Sequence, residues 1–198
     1  MDIKPTRREA ILDAAIKRFA RVGYRKTTLA EVAKDVGMVK SALYKYFTDK
    51  EDLFRAAVDR LAKEVMHEVE QRAKKGRTAA GRIKLLLLGV YDLYQELAVS
   101  VGVTLEGWHD LRPFFLRIGA SYHRSFSGVL ASLIVEGIKD GELASRDPHT
   151  VAAVANIALD RINEGVLLGE LSLQEGRRHV SVMLDVMMDG LTRRGVRS

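Results

Sequence analysis

The chain has 198 residues, 47% hydrophobic and 29% charged, enough for one sizeable core or for a small domain beside a larger one. It contains no cysteine, which excludes disulfides, cysteine-ligated metals and a cysteine nucleophile. The net charge of +6 is unevenly spread: residues 1–50 hold 12 Lys+Arg against 6 Asp+Glu, leaving 20 of the 32 basic and 20 of the 26 acidic residues for the remainder. A basic first quarter on a neutral body points to an anionic partner for that quarter, although charge alone is equally consistent with a solvated basic surface. The opening MDIKPTRREA lacks the apolar run of a secretory signal. The longest apolar stretch, 85–103, is interrupted by Asp92 and Glu96 and reads as a buried helix, not a membrane span. A cytoplasmic protein without membrane attachment is the expectation.

Helical apolar spacing dominates the long windows between the three prolines, and no segment alternates with a period of two. The chain therefore reads as all-α. Thr6 precedes Glu9, Thr28 precedes Glu31 and Thr48 precedes Glu51, each at the capping-box spacing, so helices are expected to start near 6, 28 and 48. The first helix spans about 7–22, with Ile11, Ala15 and Phe19 on one face and Gly23 as its stop. The second spans about 29–36 and stops at Gly37. A third must fit at about 40–47. A fourth runs from about 49 to 74, with Leu53, Ala57, Leu61 and Val65 on one stripe. Further helices are expected near 79–99, 105–111, 114–139, 148–169 and 173–193. Pro113 would precede the third of these, and Pro148 fits the first turn of the fourth, where a missing N–H costs nothing.

The second helix, the turn at Gly37 and the third helix have helix-turn-helix spacing. Leu43 and Phe47, four residues apart, should face inward, leaving Lys40, Ser41, Tyr44, Lys45 and Tyr46 on or beside the exposed side. Lysines can neutralise phosphate or reach guanine edges, and tyrosine hydroxyls can donate to phosphate. Lys50 in the first turn of the fourth helix, with the free N–H groups there, would suit a phosphate, and Thr28 at the start of the second helix could do the same.

The segment from Ile11 to Leu53 resembles the DNA-binding domain of the TetR family of transcriptional regulators. The resemblance rests on Ile11-Leu12-Asp13-Ala14-Ala15, Phe19, Gly23-Tyr24, Thr27-Thr28, Glu31-Val32-Ala33, Val36-Gly37, Leu43-Tyr44, Tyr46-Phe47 and Lys50-Glu51-Asp52-Leu53. A weaker likeness is the run Gly137 to Glu142 leading to Asp147-Pro148, a juncture found in many members before their dimerisation helices. The resemblance implies an N-terminal three-helix DNA-binding domain over 1–50 and a larger helical ligand-binding and dimerisation domain over 51–198. It implies that the third helix enters the major groove, with Lys40, Ser41 and Lys45 near base edges or adjacent phosphates and Thr28, Tyr44, Tyr46 and Lys50 at phosphate positions. Val39 departs from the family, which often has Ser or Thr there as a cap; either the third helix starts raggedly or Val39 meets a thymine methyl.

One such head reads half a site, and two related by a two-fold axis read a palindromic operator in double-stranded DNA. The homodimer surface is expected in the last two helices, on the stripes Val151, Ala155, Ala158, Ile162 and Val180, Met183, Met187; both stripes could equally face the chain's own core. The resemblance also implies a pocket for a small-molecule effector, released repression being its use. Candidate lining residues are Met66, Tyr91, Tyr94, Trp108, His109, Phe114, Phe115, Arg117 and Tyr122, a set suited to an apolar or amphipathic ligand. An architectural or activating DNA binder whose body docks a protein partner is the alternative.

An enzyme is not expected. The chain has no G-x-S-x-G elbow, P-loop or dinucleotide fingerprint in the required context. Its five histidines lack metal-ligand spacing, so no catalytic residue, metal or cofactor is assigned.

Overall fold

The computed structural model describes residues 6–144 and 147–192, without the side chains of 114–123. Among the described residues there are eight α-helices and no strand: α1 (Arg7–Val22), α2 (Leu29–Asp35), α3 (Lys40–Leu43), α4 (Lys50–Ala73), α5 (Ala79–Val101), α6 (Leu105–Lys139), α7 (Pro148–Leu167) and α8 (Leu173–Thr192). No single helix among them is long and apolar enough to cross a membrane. The all-α expectation holds.

The helix starts follow local chemistry. Thr6 and Thr28 each close a full capping box with Glu9 and Glu31. The hydrogen bonds from Thr6 and Thr28 hold both glutamates below the usual carboxylate range. The third expected cap is corrected. Asp49, not Thr48, accepts from the N–H of Asp52 (2.8 Å), while Asp52 takes the Thr48 N–H (2.9 Å). A carboxylate caps as well as a hydroxyl does, and Asp49 lies directly before the helix. Ser172 and Glu175 make a further box at the start of α8 that the sequence reading passed over. Asp147 caps α7 by accepting from Thr150 N–H at 3.0 Å, with Pro148 behind it.

Two expected boundaries differ from the structure. The third helix stops at Leu43, and residues 44–46 form a turn in which Tyr46 N–H reaches only three residues back, to Leu43 O (2.9 Å). At its other end the helix starts at Lys40 without a side-chain cap from Val39. The expected break at Pro113 is absent: α6 runs through it as one 35-residue helix. A proline in mid-helix removes one backbone hydrogen bond, here to the carbonyl four residues earlier, and a helix packed elsewhere can tolerate that loss.

The chain packs as two compact units, one of residues up to 63 with 98–119 and one of 64–97 with 120 onward. In the first, Ile11, Leu12, Phe19, Val32, Leu43, Phe47, Leu53 and Phe54 are buried. Phe19, Tyr24 and Phe54 form an aromatic cluster with centroids 5.0–5.7 Å apart. Arg18 on α1 holds Asp35 of α2 through two hydrogen bonds of 2.7 Å each, which pulls the Asp35 carboxyl below its usual range. In the second unit, α5 to α8 surround a core that includes Ile83, Leu86, Leu87, Leu130, Ile134, Leu159, Val180 and Leu184. The Tyr91 hydroxyl donates to Leu173 O (2.7 Å), and Gly176 leaves the room that this contact needs: a Cβ there would lie 2.5 Å from the same hydroxyl.

Candidate nucleic-acid interface

The sequence of α2 to α4 sets which side chains face out. Leu43 and Phe47 are buried, so the residues between and beside them are turned to solvent. Lys40, Ser41, Tyr44, Lys45 and Tyr46 are all exposed, Tyr44 at 48% and Tyr46 at 38%. Val39 is exposed as well, at 68%. The Lys40 ammonium sits 5.7 Å from the centre of the Tyr44 ring, which aligns the charge and the phenol on one face. Five of the seven residues expected at DNA thus lie together in one short exposed stretch. Its chemistry is cationic and hydrogen-bond donating, suited to phosphate and to purine acceptors.

The other two, Thr28 and Lys50, have protein partners. Thr28 is exposed, but its hydroxyl donates to Glu31 Oε2 (2.8 Å) and accepts the Glu31 N–H (3.3 Å). Lys50 is half-buried. Its ammonium donates to the carbonyls of Tyr24 (2.9 Å), Thr27 (3.0 Å) and Arg25 (3.3 Å), and lies 4.4 Å from the centre of the Tyr24 ring. It therefore ties the turn between α1 and α2 to the start of α4.

The same turn is held a second time, by the start of α6. Arg25 N–H donates to Asp110 Oδ2 (2.6 Å), and the Arg25 guanidinium pairs with Asp110 Oδ1 (2.9 Å). Lys26 pairs with Glu106. Thr104 donates its N–H to Ala20 O (3.2 Å) and its hydroxyl to Arg21 O (2.8 Å), so it satisfies carbonyls at the end of α1. Gly107 packs so closely that a Cβ would lie 2.1 Å from Ala20 O. Sequence reasoning missed these partners. They stand roughly 80 residues from the turn they hold, and no local pattern announces a contact at that range.

Lys50→Ala removes the shared donor of three carbonyls. Stability is expected to fall by about 1–3 kcal/mol. DNA affinity should fall too, with the slope of log affinity against log salt unchanged. Binding isotherms at several salt concentrations, read beside a thermal melt, check this. An unshifted melt with a slope smaller by about one unit per head would place Lys50 on phosphate.

The residues expected to line an effector pocket are spread. Tyr91 is buried with its hydroxyl engaged as described, Tyr94, Met66 and Trp108 are half-buried, and His109 is exposed. Phe114, Phe115, Arg117 and Tyr122 lie outside the described side chains. The stripes read as the pairing surface largely face inward: Ala155 and Val180 are buried in the chain's own core, and Val151, Ile162, Met183 and Met187 pack against it, while Ala158 is half-buried. The exposed apolar residues of α7 and α8 are Val154 (59%), Ile157 (68%), Val182 (52%) and Val186 (69%), together with Leu173.

A basic helical bundle that presents the second helix of a helix-turn-helix, with lysines and tyrosines outward, is the architecture of a DNA-binding protein. Residues 11–57 match the sequence profile of the bacterial regulatory proteins of the tetR family. Residues 11–57 thus carry the DNA-binding module of the tetR-family regulatory proteins, and the chain is similar to DNA-binding regulators of transcription. It is 28% identical over 190 residues to the HTH-type transcriptional repressor Rv1474c of Mycobacterium tuberculosis, covering 94% of each chain. A crystal structure of a transcriptional regulator from Cytophaga hutchinsonii superposes with a TM-score of 0.74 at 25% identity, over 93% of this chain and 97% of that one. The fold is shared with the transcriptional regulator FadR of Bacillus subtilis, solved in complex with stearoyl-CoA: TM-score 0.71, 19% identity, 92% of this chain and 98% of that one.

Proposed function

We propose that the protein is a repressor that binds a palindromic operator as a homodimer and is released by an apolar or amphipathic small molecule. The observation that carries the DNA half is the outward face of residues 40–46, with Lys40, Ser41, Tyr44, Lys45 and Tyr46 exposed above buried Leu43 and Phe47. Lys40, Ser41 and Lys45 contact base edges and adjacent phosphates, and Tyr44 and Tyr46 contact phosphates. Thr28 and Lys50 serve by fixing the turn that leads into α2. In this reading residues 1–50 bind DNA and residues 51–198 pair and sense.

Pairing uses α7 and α8, which pack on each other. Val154, Ile157, Val182 and Val186 leave apolar area in water that a second copy would cover. The variant Ile157→Glu/Val186→Glu is expected to sediment as a folded monomer where the wild type sediments as a dimer, and to lose most operator affinity because each head then binds alone. A wild type that is monomeric at micromolar concentration, or a variant that still pairs, would contradict this surface.

Release by a ligand is supported by the repressor among the relatives and by the stearoyl-CoA complex among the structural neighbours. It requires tighter ligand binding to the form that does not fit the operator, since a ligand of equal affinity for both shifts nothing. The test is titration of the operator complex with amphiphiles of graded head charge. Release by one class is expected, and an operator complex that survives every one at saturation would end the sensing half of the proposal.

A further inference from the structure

DNA contact as read above comes from residues 40–46 alone. A cation from another helix stands at the end of that stretch. Arg8 lies in the first turn of α1, and its guanidinium lies over the ring of Phe47, 5.1 Å from the centre. Phe47 is buried and directly follows the exposed Lys45 and Tyr46. Arg8, itself exposed, therefore reaches solvent beside the face that residues 40–46 present, although the whole of α2 separates the two in the chain.

Helix periodicity explains the placement. Leu12, Ala15 and Phe19 are buried on α1, and Arg8 stands four residues before Leu12 on the same stripe. It carries the core face of α1 one turn past the core. An arginine there lays its stem and the flat face of its guanidinium on apolar surface and keeps its charge in water. Contact through that flat face leaves the N–H groups at its rim free to donate. Arg18, Arg25, Lys26, Arg55 and Arg60 of the same unit each hold a carboxylate. Among the described residues none is paired with Arg8. The acidic side chains of the first two turns of α1 are engaged elsewhere: Glu9 accepts the Thr6 N–H, and Asp13 pairs with Arg60.

We propose that Arg8 is a further DNA-contacting residue, which donates to a backbone phosphate at the edge of the site that residues 40–46 read. Phe47 is its platform: the buried ring that anchors the turn also fixes the cation beside it. The partner is phosphate and not a base, because α3 and its turn occupy the groove and Arg8 stands beside them. Such a contact adds affinity evenly across sequences and leaves the preferred motif unchanged. The inference rests on the reading of residues 40–46 as the DNA face and adds a second element, α1, to that face.

Arg8→Met keeps an unbranched side chain over Phe47 and removes the charge, and Arg8→Lys keeps the charge. Full-length wild type and both variants are titrated onto two labelled duplexes, one carrying the motif that the wild type selects and one without it. Each phosphate contact contributes about 0.9 to the slope of log affinity against log salt. Arg8→Met is therefore expected to lose affinity less steeply, by about 3.5-fold per head between about 50 and about 200 mM salt. Its binding at the lower salt should be about tenfold weaker than that of the wild type. It should select the same motif and melt with the wild type. Arg8→Lys should restore the slope. An Arg8→Met protein with the wild-type slope, whatever its affinity or melting temperature, would confine Arg8 to packing on Phe47 and overturn the proposal. So would a changed motif, which would make Arg8 a base reader, or a slope that Arg8→Lys leaves as low as methionine does. A wild type that selects no motif ends the reading of residues 40–46, and the slope on the plain duplex still decides Arg8.

Discussion

Tyr44→Ala/Lys45→Ala is expected to weaken specific operator binding by at least about a hundredfold. Each lost contact is worth roughly 1–3 kcal/mol, and a dimer loses it at both half-sites. The loss should come without a change in melting temperature, because both side chains are exposed and neither fills the core. The slope of log affinity against log salt should also shrink, by about 0.9 for each phosphate that Lys45 neutralises. Arg178→Ala, at an exposed cation on α8, is the matched control and should leave operator affinity unchanged. Fluorescence anisotropy with a labelled duplex at several salt concentrations gives affinity and slope together. A double variant that binds like the wild type would remove α3 and the turn after it from the interface.

Gly107→Ala carries the largest expected effect on stability. A Cβ at Gly107 would stand 2.1 Å from Ala20 O and 2.9 Å from Ala20 C, and both are backbone atoms that cannot rotate away. The start of α6 would have to move off the end of α1, and with it the Thr104 bonds to Ala20 O and Arg21 O. Overpacking of this kind costs about 3 kcal/mol, which for a chain of this length lowers the melting temperature by roughly 6–12 °C. Asp110, which holds the turn before α2, would move with α6, so operator affinity should fall as well. Gly128→Ala in the same helix is the control. Its Cβ would meet no atom within 4 Å, and alanine there should be neutral or stabilising by up to about 1 kcal/mol. A Gly107→Ala protein that melts with the wild type would mean that α6 does not hold the end of α1 this closely.

Much of the first unit was legible because its signals are local. Thr6 and Thr28 announce α1 and α2 through glutamates three residues on, and Leu43 with Phe47 fix which side of residues 40–47 faces inward. Asp49 was legible too, as the residue before the helix with Asp52 three further on, but the nearby Thr48-Glu51 pair offered the same spacing. The body was harder to read because its helices are apolar on more than one side. On α7 the buried face is Ala152, Ala155, Asn156, Leu159 and Asn163, whereas the sequence favoured a stripe from Val151 to Ile162. Val154 and Ile157 are as apolar as their buried neighbours, so periodicity gives the pitch of α7 and not its phase. Asn163 and Asn156, both polar, are buried with that face, which apolar spacing alone does not announce. The contacts of Asp110, Glu106 and Thr104 with the first turn left no trace in spacing, since they join segments far apart in sequence.

The central claim is that residues 40–46 read a specific two-fold DNA site. The most direct test is selection of bound sequences from a random duplex pool at about 150 mM salt, near physiological ionic strength. Wild type and Tyr44→Ala/Lys45→Ala would be selected side by side. A palindrome enriched by the wild type and not by the variant is the expected result. A pool that stays random, or the same motif enriched by both proteins, would contradict the account.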